Sequence, residues 1–256
     1  MSGLIDSHCH LDAGAFDGDR AAVIERARAA GVHAQVVPAV TAASWPGLRE
    51  VCRQAPGLYP AYGLHPMFLA EHHPAHLPQL RDWIDRERPY AIGECGLDFF
   101  VDGLDAQAQQ DYFVGQLKLA REFDLPVIVH ARRAVDAVIA AIRAIGGLRG
   151  VVHSFSGSPE QAAQLHRQGF LLGLGGPLTY DRAQRLQRLV REMPLEQLLL
   201  ETDAPDQPDA GIRGQRNEPA RLAVIAGHVA ALRGIEVEAV ARATTENARR
   251  LFNLPT

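Results

Sequence analysis

The chain opens with IDSHCHL, in which one residue separates His8 from His10 and Asp6 stands two places before His8. On a strand, residues two apart project from the same face, so both imidazoles would enter one space while Cys9 points away. By itself such a pair also fits a hydrogen-bonded polar strand edge. What favours a metal is that other residues of the right type interrupt apolar runs further along: His65 in YPAYGLH, Glu94 in AIGECGL, His130 in VIVHAR, His153 in VVHSFSG and Asp203 in LLLETDA. Imidazoles and carboxylates without thiolate form a borderline to hard donor set, open to Zn, Mn, Fe, Co, Ni or Mg. One divalent ion takes about four protein ligands, so this set predicts two ions about 3.5 to 4 Å apart that share a bridge. Glu94, central in the series, is the natural bridge.

Those residues need a scaffold that gathers them. Eight short runs rich in Val, Ile and Leu (LIDSH, AQVVPAV, YPAYGLH, AIGECGL, VIVHAR, VVHSFSG, LLGLGG, LLLETDA) alternate with longer Ala, Arg and Leu patterns. In DRAAVIERARAAG, for example, Ala22, Ile24, Ala27 and Ala30 fall near one helical face and Gly31 supplies the stop. Alternation of this kind predicts an α/β fold, a (β/α)8 TIM barrel, with chemistry at the carboxyl ends of the strands. The rival doubly wound sheet lacks its G-x-G-x-x-G after the first strand, and GLGG before Pro177 reads as a strand ending in a tight turn. No composition shift marks a linker, so one domain is expected over residues 1–256.

Of 256 residues, 47% are hydrophobic and 22% charged, which permits a large core, and the formal net charge of -4 argues against a broad basic nucleic-acid surface. A nuclease whose positive charge comes from bound ions stays possible. Cys9, Cys52 and Cys95 form no CxxC pair and read as buried thiols of a reducing compartment, with Cys9 and Cys95 packed behind the site. Neither a signal-like start nor an apolar run of roughly 18 residues occurs. A cytoplasmic protein without membrane attachment is expected, working as a monomer.

Several residues carry milder expectations. His72, His73 and His76 are expected in a solvated loop, and His33, His166 and His228 at the surface. Phe99 and Phe100 are expected to pack beneath a loop rather than stack on a base. Asp98 either orients a neighbour or caps the next helix. Loop 206–219, with Arg213 and Arg216, is either a substrate lid or a plain connection, and Asn217, Glu218 and Pro219 begin the last long helix.

The segments DSHCHL, GLHP, GECGLDFF, PVIVHARR, HSFSG and ETDAP, in this order and spacing, resemble the TatD family of metal-dependent hydrolases, within the amidohydrolase-like barrels. GGPLTYDRA and LLLETDAPDQP further resemble its YjjV-like branch. The resemblance runs from Ile5 to the NARRLF near the end of the chain. It implies that His8, His10, Glu94 and Asp203 hold one divalent ion and that Glu94, His130 and His153 hold the second. Asp203 would also deprotonate the water shared by the ions. His65 and Arg132 would contact substrate phosphate, although His65 before Pro66 also fits a plain turn. The implied activity is a deoxyribonuclease of 3′–5′ exonuclease type acting on a nucleic-acid end or a small phosphate-containing substrate. Two alternatives stand beside it: a hydrolase of small esters, amides or lactones, and a non-catalytic metal-binding barrel.

Overall fold

The structure, a computed structural model, describes residues 3–255; residues 1, 2 and 256 of the expected domain lie outside them. Eight strands, β1 (Leu4–Asp6), β2 (Val32–Pro38), β3 (Leu58–Tyr62), β4 (Ala91–Asp98), β5 (Val127–Arg132), β6 (Gly150–Val152), β7 (Phe170–Leu174) and β8 (Leu198–Leu200), form one parallel sheet in chain order. The helices that connect and cover them are α1 (Arg20–Ala29), α2 (Trp45–Arg53), α3 (His76–Glu87), α4 (Ala106–Phe123), α5 (Val135–Ile145), α6 (Pro159–Arg167), α7 (Gln184–Glu192), α8 (Leu222–Arg233) and α9 (Val237–Phe252). The (β/α)8 barrel expected from the alternation is the fold. Among the described residues no helix is long and apolar enough to cross a membrane.

Local signals set the helix ends. Asp105 accepts a hydrogen bond from the Ala108 N–H at 2.8 Å to start α4, and Ser158 with Gln161 forms a capping box at the start of α6. On α1 the buried stripe is Val23, Ile24 and Ala27, while Ala22 is exposed. The expected face is therefore rotated by a residue, because the larger Val23 side chain gains more from burial than Ala22 does. The segment after Asn217 passes through a short 3-10 turn into α8 rather than into the last long helix; Gly234, at φ 64°, ends α8 and leaves α9 as a separate final element.

Strands buried on both faces explain the apolar runs. Ile5, Val36, Ile128, Val151, Leu171 and Leu199 fill the barrel interior, closed from the amino end by Ala248, Leu251 and Phe252 of α9. Val37, Val129, Leu172, Leu198 and Leu200 pack in the layer under the helices. Side chains two residues beyond the apolar interior layer continue on the same face: His130 after Ile128, His153 after Val151, and Glu201 then Asp203 after Leu199. A polar layer thus sits directly on the apolar one.

The seam between β8 and β1 is closed by single bonds. Ser7 N–H donates to Leu200 C=O at 3.0 Å, Asp203 N–H to His8 C=O at 2.9 Å, and His10 N–H to Ala204 C=O at 2.7 Å. Across the same seam the Asp6 carboxylate accepts from Thr202 N–H at 3.0 Å and from the Thr202 hydroxyl at 2.6 Å. Closing the barrel and bringing His8 and His10 beside Asp203 are therefore one event.

Between β4 and β5 the backbones meet closely at Gly96, whose φ is 143° and where a Cβ would lie 2.0 Å from the His130 carbonyl oxygen. Gly96→Ala is expected to cost roughly 2–4 kcal/mol and to push the end of β5 that carries His130. Chemical denaturation measures this; an unchanged midpoint would show that the strands have slack there.

Candidate metal centre

Ser7 to His10 continue β1 beyond its formal end, held by the seam bonds on one side and by Cys9 N–H to Val36 C=O at 3.1 Å on the other. Extended backbone puts His8 and His10 on one face, with their Nε2 atoms 3.2 Å apart and Cys9 buried behind, as the spacing predicts. Cys95 is likewise buried.

At the centre lies the Glu94 carboxylate, only 2% exposed. Its Oε2 faces His8 Nε2 at 3.2 Å and His10 Nε2 at 3.3 Å. Its Oε1 faces His153 Nε2 at 2.7 Å, His65 Nε2 at 2.9 Å and His130 Nδ1 at 3.1 Å. Asp203 completes the Oε2 side, with Oδ1 at 3.4 Å from His8 Nε2 and 3.6 Å from His10 Nε2. One carboxylate thus divides five imidazoles into two groups, one on each oxygen.

The rear nitrogens define which imidazoles offer a lone pair. His10 Nδ1–H donates to Pro38 C=O at 3.2 Å, and His130 Nε2–H to Asp98 Oδ2 at 2.9 Å, so His10 Nε2 and His130 Nδ1 face Glu94 unprotonated in the neutral rings. His65 is set the other way. Met67 N–H donates to His65 Nδ1 at 3.1 Å, which leaves the proton on Nε2 and makes that atom a donor. Nitrogens in contact at 3.2 Å occur twice, between His8 and His10 and between His130 and His153. Two lone pairs at that distance repel unless a proton or a cation lies between them, so this donor set fits divalent ions.

Where no ion is bound, protons take that place. Burial acts to lower the His153 and His10 pKa values, but the Glu94 carboxylate overrides it and lifts them to about 10 and about 9. Burial, with the positive charge of His153 beside it, pushes His8 down to about 4. Burial raises Glu94, yet the surrounding imidazoles, His153 first, hold it well below the ordinary carboxylate range.

Around the centre opens a pocket of about 750 Å³, lined by Met67 and Phe68 on one side, Phe155, Leu174, Pro177 and Leu186 on another, with Arg132, Asp206 and Gln207 among its polar walls. Every residue expected at the strand ends, His8, His10, His65, Glu94, His130, His153 and Asp203, lies at this one centre, and Arg132 lines the pocket.

Other expectations change. Phe99 and Phe100 are 43% exposed, not packed in the core. Asp98 Oδ1 accepts from Phe100 N–H at 2.9 Å and Val101 N–H at 3.0 Å, and this turn carries both rings outward. The Arg132 guanidinium stacks 3.7 Å over the Phe100 ring and Arg133 stands 4.6 Å from its centre. Asp98 therefore orients His130; Asp105 caps α4. His72 is half-buried rather than solvated, because its Nε2 donates to the His65 carbonyl at 2.8 Å, and His76 is half-buried too, while His73 is exposed. His228 is half-buried on α8, whereas His33 and His166 are exposed. Loop 206–219 is anchored on the barrel: the buried Asn217 amide donates to the carbonyls of Thr202 at 2.8 Å and Asp206 at 2.8 Å, and Arg216 is tied to Asp19 at 2.7 Å.

Two buried carboxylates escaped the sequence reading. Burial outweighs the bonds from Thr202 and His8 and raises Asp6 to about 7. Glu201, raised by burial to about 8, accepts from Ser154 N–H at 2.5 Å. The available signal was their position: each is an acid inside a run otherwise apolar.

A parallel eight-stranded barrel with imidazoles divided about a buried carboxylate at the carboxyl ends of its strands defines the metal-dependent hydrolase class of barrel. Comparison with known proteins narrows this. The family model described as TatD related DNase matches residues 5–253, and the chain belongs to that family. It is 40% identical over 255 residues to the metal-dependent hydrolase YjjV of Escherichia coli, covering 98% of each chain, and 35% identical to YabD of Bacillus subtilis, covering 98% of this chain and 99% of that one. The crystal structure of YjjV, a TatD homologue, superposes with a TM-score of 0.93 at 39% identity over 98% of both chains. A TatD family protein from Entamoeba histolytica shares the fold, with a TM-score of 0.86 at 21% identity over 98% of both chains.

The raised imidazoles have a thermodynamic consequence. Their stabilisation is complete below the unfolded histidine value of about 6.5 and is lost as pH rises through about 9 and then 10. Chelator-treated protein is therefore expected to lose thermal stability on going from neutral to alkaline pH. Loading it with Zn or Mn near pH 8 is expected to release protons, read from the dependence of the binding enthalpy on buffer. Ion uptake without proton release would show that His10 and His153 are already neutral.

Proposed function

We propose that this chain is a two-metal phosphodiesterase that removes nucleotides from a nucleic-acid end, a deoxyribonuclease of 3′–5′ type. The observation that carries the reading is the division of the imidazoles by Glu94, with each carboxylate oxygen facing its own group. His8, His10 and Asp203 with Glu94 would hold one divalent ion; His130 and His153 with Glu94 would hold the other. When bound, the ions would acidify a water towards a pKa of about 7 and offset charge on the phosphoryl oxygens.

The remaining steps belong to the chain. Asp203 Oδ1 lies 3.4 Å from His8 Nε2 on the Oε2 side of Glu94 while Gln207 donates to its Oδ2, and Oδ1 would take the proton of the attacking water. His65 donates from Nε2 to Glu94 Oε1 at 2.9 Å, and once an ion occupied that oxygen the same N–H would turn to a non-bridging phosphoryl oxygen. Arg132, held flat on Phe100, offers its forked donors to a phosphate. The exposed Met67 and Phe68 give the pocket wall apolar surface on which a base can stack. The apolar wall of Leu174, Pro177 and Leu186 favours a second reading, hydrolysis of a small phosphate ester or acyl compound.

A 5′-labelled single-stranded oligonucleotide incubated with Mg or Mn separates these. A ladder shortening from the 3′ end is expected with wild type. Glu94→Ala is expected to lose the ions and the ladder; Asp203→Asn is expected to keep at least one ion and lose roughly 10²- to 10⁴-fold in rate. An intact oligonucleotide beside hydrolysis of a small phosphodiester would transfer the assignment to the small-substrate reading, and full ion content in Glu94→Ala would remove Glu94 as the bridge.

A further inference from the structure

Of the imidazoles with a lone pair to offer, two have their rear nitrogen engaged, His10 by Pro38 and His130 by Asp98. His8 and His153 do not: both Nδ1 atoms are buried and without a partner. Their rings stack nearly parallel, with centroids 4.1 Å apart and an interplanar angle of 9°. The orientation of this stacked pair therefore lacks the fixing contact its neighbours possess, although a misaligned lone pair weakens an ion site.

Behind the pair stands Glu201. It is fully buried inside the barrel, two residues above Leu199 and two below Asp203. Its Oε1 accepts from Ser154 N–H at 2.5 Å and from the Ser154 hydroxyl at 3.3 Å, and lies 3.9 Å from His153 Nδ1. Its Oε2 has no partner. Room for the carboxylate exists because residue 173 is glycine; a Cβ there would fall 2.0 Å from Oε2. A nitrogen of His8, a nitrogen of His153 and an oxygen of Glu201 all lie within 4.8 Å of one another. A buried carboxyl group whose Oε1 stands 3.9 Å from a buried nitrogen without a partner, and whose Oε2 is also without one, forms with that nitrogen a pair that gains by closing a gap of under an ångström.

We propose that Glu201 is the positioning residue of the metal centre. It accepts the Nδ1 proton of His153, which leaves His153 Nε2 unprotonated and aimed at the Oε1 side of Glu94, and through the stacked ring it steadies His8 on the Oε2 side. Glu201 touches neither ion nor substrate; it acts on both halves of the centre from behind. This rests on the reading of His153 and His8 as ion ligands.

The test compares wild type, Glu201→Gln and Glu201→Leu. Glutamine keeps an acceptor oxygen, whereas leucine fills the space without one. Ion number and affinity are measured by titrating chelator-treated protein with Co(II) and Zn(II), together with the Co(II) visible spectrum, and the His153 Nδ1–H resonance is sought in the Zn-loaded protein. Positioning predicts an Nδ1–H resonance in wild type and in Glu201→Gln. It predicts loss of that resonance in Glu201→Leu, with an ion bound roughly 10- to 100-fold more weakly and an altered Co(II) spectrum. Unchanged affinity and spectrum in a folded Glu201→Leu protein would reduce Glu201 to a space-filler and overturn the proposal. An ion count above two in wild type, falling to two in Glu201→Leu, would also overturn it, since Glu201 would then be a ligand. Should Glu201→Leu not fold, the wild-type resonance decides, because its absence in Zn-loaded protein is incompatible with the proposed bond. Failure of wild type to bind any divalent ion would instead defeat the metal-centre reading itself.

Discussion

A single carboxylate buried among imidazoles is the constraint from which the rest of this structure follows. Removing an ionised Glu94 from water costs several kcal/mol unless opposite charge and hydrogen bonds replace its hydration. Five imidazoles from four strand ends surround it, so the strands must arrive in register and at equal height. The barrel provides this because its interior face repeats every two residues, and the layer above Ile128, Val151 and Leu199 is polar on each of those strands. The seam adds a second dependence: His8, His10 and Asp203 meet only because the β8 and β1 segments exchange backbone bonds there.

The sequence made the scaffold and most of the centre legible for the same reason. Parallel strands buried on both faces appear as apolar runs, and within such runs a lone His, Glu or Asp stands out. Where legibility failed, the cause was an interaction between distant parts of the chain. Asp6 matters through Thr202, and Glu201 through Ser154 and His153, pairings that no local spacing displays. Parity alone could have flagged Glu201, since Leu199, Glu201 and Asp203 fall at spacing two, but the motif drew attention to the aspartate. Phe99 and Phe100 read as core by type and are exposed because Asp98 binds the backbone after them. His72 read as solvated and instead holds the carbonyl of His65.

Asp98 shows how economically the rim is built. One oxygen fixes the ring of His130 and the other fixes the turn that displays Phe100, over which Arg132 lies. The ring of His130 and the turn that bears Phe100 are thereby tied to one side chain. Asn217 plays the matching part across the pocket, tying the loop that carries Asp206 and Gln207 to the end of β8. Hydrogen bonds on both sides thus tie the walls of the pocket to the strand ends that carry the Glu94 cluster.

Under the proposed function, a net charge of -4 conflicts with a phosphate-bearing substrate only if charge is taken over the whole surface. Arg132 and Arg133 are held against Phe100, and among the described residues neither forms an ion pair with a carboxylate. Together with divalent ions at the centre, Arg132 in the pocket wall and Arg133 beside it would offset the net negative charge locally. Under the proposed function, phosphate would be drawn to that local charge and not to the surface as a whole.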